Sequence, residues 1–141
     1  MRFTWIVGLF TLIFANFAHA ADVGIDNVWL RETIPGSQNG AAYFTITNQH
    51  TETVRLVGAT TAAARVVEVH EHVMRDGMMR MQQVPALEIA PAATIQLKPG
   101  GYHLMLFGLK KPLVVGEQVD FTLNFDNGDT MVIRGDVRPI Q

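Results

Sequence analysis

Alternation of apolar and polar residues constrains the fold of this chain more than any other feature. Val119, Phe121, Leu123 and Phe125 alternate with Asp120, Thr122 and Asn124. Successive strand side chains point to opposite faces, so this spacing gives a β-strand one apolar and one polar face. Asp126-Asn127-Gly128-Asp129 follows, and Asn and Gly accept the positive φ that a tight hairpin turn requires. Residues 130–137 then read as the returning strand. Residues 41–48 repeat the pattern, with Phe44 and Ile46 on one face and Thr45 and Thr47 on the other. Further strands are expected at 23–30, 54–60, 65–73, 79–84, 93–97 and 102–107, with turns at Arg75-Asp76-Gly77 and Pro99-Gly100-Gly101. Residues 60–64 are expected to form at most a short helical turn. Many short strands separated by turn residues specify an all-β sandwich or small barrel.

The start of the chain reads differently. Arg2 is followed by an almost wholly apolar run from Phe3 to Phe14, and Ala18-His19-Ala20 is a small-x-small cleavage pattern. This predicts a signal peptide over residues 1–20, leaving residues 21–141 as one domain in an exported protein. A spanning helix needs about 20 apolar residues. This run is shorter and is broken by Asn16 and His19, so no membrane span is expected after cleavage. Removing Arg2 leaves ten Lys and Arg against thirteen Asp and Glu, a net charge near −3 with no basic block. That balance argues against nucleic acid as a partner. There is no cysteine, so neither a disulfide scaffold nor a blue-copper thiolate site is available.

Within the mature part, five of six methionines and three of four histidines fall between His70 and Met105. Ten residues separate His70 from Met81, twenty-one separate Met81 from His103, and one separates His103 from Met105. Two imidazoles and two thioethers form a neutral, soft donor set, poor for zinc, magnesium or calcium and good for Cu(I). Strand parity puts His103, Met105 and Phe107 on one face and Leu104 and Leu106 on the other. It likewise separates Glu68, His70 and His72 from Val67 and Val69. With the aliphatic residues in the core, the four donors are expected on the outer surface, near solvent. Taken singly, a methionine is more often a gap-filler than a ligand, and Met74, Met78, Met79, Met81 and Met105 also fit a Met-rich contact patch. Glu68 and Glu71 are either acceptors for an imidazole N–H or solvated charges. No phosphate-binding glycine loop appears, and Ser37 and His50 declare no catalytic triad.

These residues resemble the periplasmic copper(I)-binding PCuAC proteins, whose signature is His-x10-Met-x21-His-x-Met. The flanking segments Val69-His70-Glu71-His72, Gly77-Met78-Met79-Arg80-Met81 and 98–112 are similar too, as is Ala41-Ala42-Tyr43 with Asn48. The resemblance implies a cupredoxin-like Greek-key β-sandwich or barrel holding one Cu(I) per chain near its surface, at His70, Met81, His103 and Met105. It implies no catalysis but copper delivery in the periplasm. The acceptor would be the copper subunit of cytochrome c oxidase, with its binuclear CuA centre, or a thiol-bearing copper chaperone. His72 and Met79 lie beside the motif as substitute ligands. Some relatives carry a His/Met-rich C-terminal tail that binds additional copper, and residues 134–141 here hold neither residue type, which argues against a tail-borne site. Copper storage or detoxification, a copper redox enzyme and a metal-free interaction module are the competing readings.

Overall fold

The computed structural model describes residues 23–140, so the expected leader lies outside the described residues. Ten strands follow in order: β1 Val23–Arg31, β2 Asn39–Asn48, β3 Val54–Thr60, β4 Ala64–Arg75, β5 Met78–Gln83, β6 Leu87–Ile89, β7 Thr94–Gln96, β8 His103–Leu109, β9 Gln118–Phe125 and β10 Thr130–Arg138. No helix occurs among the described residues. Pairing runs β4-β8-β2-β1-β10-β9-β3, and a β3–β4 contact closes these seven strands into a barrel. The β2–β3 and β8–β9 connections each cross over intervening strands, which is Greek-key connectivity. β5 extends the sheet beyond β4, β6 adds to β3, and β7 pairs with β2.

The alternating segments form the strands they predict. Val119, Phe121, Leu123 and Phe125 on β9 are all buried, as are Phe44 and Ile46 on β2. They meet Leu30, Leu56, Val67, Val69, Leu104 and Leu106 in one core. Phe44→Ala would remove a fully enclosed ring, and such truncations cost about 3–5 kcal/mol. The β9–β10 turn forms where the sequence places it, but only Gly128 takes positive φ and Asn127 contributes its side chain instead. Gly128 has φ 88°, and the Asp129 N–H donates to Asn127 Oδ1 at 2.9 Å. In the β4–β5 hairpin Asp76 and Gly77 both have positive φ, 52° and 74°, the conformation of a two-residue type I′ turn.

Three features were not anticipated. β6 is only three residues long, too short for alternation to register. Residues 61–63 make a tight side-chain-supported turn in place of a helical one, because β4 begins pairing at Ala64. There Thr61 Oγ1 accepts the Ala63 N–H at 3.3 Å and its hydroxyl donates to the Asp120 carbonyl at 2.8 Å. Finally, β1 lies parallel to β10, with Trp29 opposite Asp136 and Leu30 opposite Val137. Gly135 permits that approach: a Cβ there would stand 2.8 Å from Val28 Cγ1 and 2.9 Å from Leu30 Cδ1. The consequence for function is a continuous run of neighbours, β5-β4-β8-β2-β1, that presents one outer face.

Candidate metal site

Register assembles the soft donors on that face. His72 is paired with Met81 across β4–β5, His70 with His103 and Glu68 with Met105 across β4–β8, and Ala41 with Met105 across β8–β2. The parity of each strand keeps all of these side chains on the face opposite the core. Ala41, small, leaves room beside the Met105 thioether. A cavity of about 380 Å³ opens here, and Met81, His103, Met105 and His72 all line it. His70 is adjacent but is not part of the cavity lining.

His103 departs from the expectation of an open surface position. It is only 3% exposed. The nearest rings come from the two strands that flank β8: the His72, His70 and Tyr43 ring centroids stand 5.2, 6.1 and 6.4 Å from that of His103, while the segment after β1 and Ile140 line the far side of the cavity. The Ile140 N–H donates to Glu32 Oε1 at 3.0 Å, which ties these two lining residues together. The depression is therefore open on the β5 side and closed around His103. Burial pushes the His103 pKa below the usual histidine value, and the Arg31, His70 and His72 charges act the same way, against the hydrogen bond to Gly101.

The hydrogen bonds prepare both imidazoles differently. His103 Nδ1 lies 3.1 Å from the Gly101 carbonyl oxygen. A carbonyl only accepts, so Nδ1 carries the proton and the Nε2 lone pair is left for a metal. His70 Nε2 lies 2.8 Å from Glu68 Oε2, so the carboxylate holds that nitrogen as N–H and leaves Nδ1 as the donor atom. The His72 and His103 ring centroids are 5.2 Å apart, and those of His70 and His103 are 6.1 Å apart. A metal–nitrogen bond of about 2.0 Å puts a ring centroid roughly 3 Å from the ion, so two rings sharing one ion stand roughly 5–6 Å apart. Either histidine thus fits alongside His103.

Two neighbours went unassigned in the sequence. Tyr43 is buried beside His103 on β2, and burial raises its pKa, so it stays a neutral phenol. The Arg31 guanidinium lies 5.9 Å from the Tyr43 ring centroid and lines the cavity. Tyr43 shares parity with Ala41, which is a signal that could have found it; Arg31 becomes visible only once the β1–β2 register is known.

Residues 23–137 match the family described as "Putative lipoprotein LpqE-like". The chain belongs to the LpqE-like family. It is 37% identical over 112 residues to "Putative lipoprotein Lxx21020" of Leifsonia xyli subsp. xyli, a match covering 79% of this chain and 66% of that protein. The chain spans 66% and 60% of the length of two curated relatives it matches. Among solved structures it is similar to CuI-DR1885 from Deinococcus radiodurans, with TM-score 0.69 and 36% identity over 86% of this chain and 81% of that one. It also superposes on the copper-bound PCuAC domain from PmoF2, with TM-score 0.73 and 24% identity over 86% of this chain and 97% of that one. The fold of this LpqE-like chain is therefore the all-β, cupredoxin-like barrel of PCuAC domains. The family description and the name of the Leifsonia relative use the word lipoprotein, and the sequence of this LpqE-like chain contains no cysteine.

Proposed function

We propose that this protein is a periplasmic Cu(I) carrier. Its exported domain, residues 21–141 after loss of the leader, takes one Cu(I) per chain and passes it to an acceptor. The donors are His70, Met81, His103 and Met105, with His72 as an alternative imidazole at the same ion. One observation carries the reading: His72, Met81, His103 and Met105, from three adjacent strands, line one cavity, with His70 beside His103 and the His103 Nδ1 proton directed at Gly101. The similar DR1885 structure, described as its CuI form, supports the choice of ion.

The residues divide the work of carrying. His103 gives a fixed imidazole whose tautomer is set by Gly101. Met105 and Met81 supply sulfurs that need no deprotonation. Met81, at the open side, is the donor an acceptor reaches first. Neutral ligation leaves the complex at +1 and binds Cu(I) less tightly than a thiolate pair, so transfer runs toward a cysteine-bearing acceptor. We infer that this acceptor is the copper subunit of cytochrome c oxidase, or a thiol-bearing chaperone that serves it.

The test is Cu(I) titration with X-ray absorption at the copper edge, followed by transfer to a reduced acceptor domain. The expected result is one Cu(I) per chain with mixed nitrogen and sulfur scattering, then loss of that copper to the acceptor. Tight copper that no thiol-bearing acceptor removes would make storage or detoxification the better reading. A chain that takes up no Cu(I) would leave a metal-free interaction module.

A further inference from the structure

The four-donor site leaves part of the β4–β5 hairpin unexplained. Met74, Met78 and Met79 are 66%, 59% and 58% exposed. Register sorts them. Met74 is paired with Met79, and His72 with Met81, two residues further along each strand, so both pairs share the face of the candidate site. Met78 is paired with Arg75 on the opposite face. The Val84 N–H donates to the Val69 carbonyl at 2.8 Å, which makes Val69 and Val84 a hydrogen-bonded pair. Antiparallel pairs alternate, so His72–Met81 and Met74–Met79 are both of the non-hydrogen-bonded kind, in which facing side chains come closest. Their Cβ atoms are then roughly 4.5–5.5 Å apart.

From Cβ atoms this close, the unbranched and flexible methionine side chains can bring both sulfurs to one soft ion. A metal–sulfur distance of about 2.3 Å sets two sulfurs on opposite sides of an ion roughly 4.6 Å apart. Cu(I) and Ag(I), both d¹⁰, accept such two-coordinate soft ligation. We propose that Met74 and Met79 form a second, outer soft-ion site, a transit position on the way to the cavity. Two residues of strand separate it from the His72–Met81 pair, about 7 Å. His72 and Met81 stand between the outer pair and buried His103, so an ion moves inward by exchanging one donor at a time. The proposal rests on the Cu(I) reading for its direction of travel, but the site stands on the hairpin geometry.

The test uses Ag(I), a diamagnetic substitute for Cu(I), added to the purified protein and followed by native mass spectrometry and methionine methyl NMR. The first equivalent should shift the Met81 and Met105 methyl signals, and a weaker second equivalent should shift those of Met74 and Met79. The Met78 methyl should not move. Met74→Leu/Met79→Leu keeps the apolar area and removes both sulfurs; it should lose the second equivalent and keep the first. Met78→Leu should lose neither. A first equivalent without a second, a second equivalent that survives in the double variant, or one that Met78→Leu abolishes would each overturn the outer site. No bound Ag(I) at all would overturn the carrier reading with it.

Discussion

His103 on β8 and Met81 on β5 face the same cavity from very different surroundings. His103 is buried among the rings of Tyr43, His70 and His72, and its Nδ1 proton is committed to Gly101. Met81 is 49% exposed, on a strand whose residues are all exposed. One side of the site is thus built before any ion arrives, and the other is left in water. A buried, oriented donor gives selectivity and a defined position, because little has to be reorganised on binding. An exposed thioether gives access, because a partner's ligand can replace it without opening the core. The proposed carrier role would call on both properties, and here they are separated across three strands.

The comparison breaks most readily at its enclosed end. His103→Ala should weaken Cu(I) binding by more than the roughly 10–100-fold that loss of a supporting partner costs at metal sites. Competition with a chromophoric Cu(I) chelator measures it, and Met131→Ala, a β10 residue remote from the cavity, should leave affinity unchanged. Next in size are the two exchangeable imidazoles. His70→Ala and His72→Ala should each weaken binding by about tenfold or less, as the remaining ring takes the position. The double variant should fall to the level of His103→Ala. A single variant that already reaches that level would assign the donor uniquely.

Acid sharpens the contrast further. The folded-state pKa of His103 lies below the ordinary value near 6.5. Below about pH 6.5 the unfolded chain takes up a proton at this residue that the folded chain refuses, so folding stability falls with pH. The loss begins below the unfolded pKa and stops growing once the pH is below the folded one. Urea denaturation of the metal-free protein between about pH 7 and pH 5, a window that spans the ordinary histidine value, should show the decline. His103→Gln should flatten it, whatever its effect on absolute stability. The smallest expected effect belongs to Arg31. Its cationic head lines the cavity and opposes a bound cation, so Arg31→Gln should tighten Cu(I) by about threefold, less at high salt.

Most of the fold was legible because its strands carry one apolar face and its turns carry their own chemistry. Asp76-Gly77 and Asn127-Gly128 announce hairpins, and the Phe121-Leu123-Phe125 spacing announces a core face. β6 stayed hidden because Leu87 and Ile89 are only two inward positions, too few to set a period. The parallel β1–β10 contact joins residues more than a hundred positions apart, and nothing local to Trp29 or Asp136 encodes it. The candidate donors were legible as residue types at particular spacings, and strand parity correctly put them on the face away from the leucines. Parity could not show that this face is partly roofed. His103 is packed among the rings of His72, His70 and Tyr43, brought together by the β4–β8 and β8–β2 pairings. Nor could it show that His72 lines the cavity while His70 turns toward Glu68, a choice made by one 2.8 Å contact.

Among the described residues β5 ends the order of strands, with β4 beside it and nothing beyond. Its backbone is held to the barrel along one edge only, whereas β8 is held on both sides. An ion shared by Met81 and His103 would tie that outermost strand across β4 to the closed wall, like a clasp. Occupancy would then be written into the backbone: amide protons of residues 78–83 would exchange slowly with solvent in the loaded protein and quickly in the empty one. The same tether gives a partner a means of telling the two apart, since a strand that frays when unloaded presents a different edge from one that is pinned.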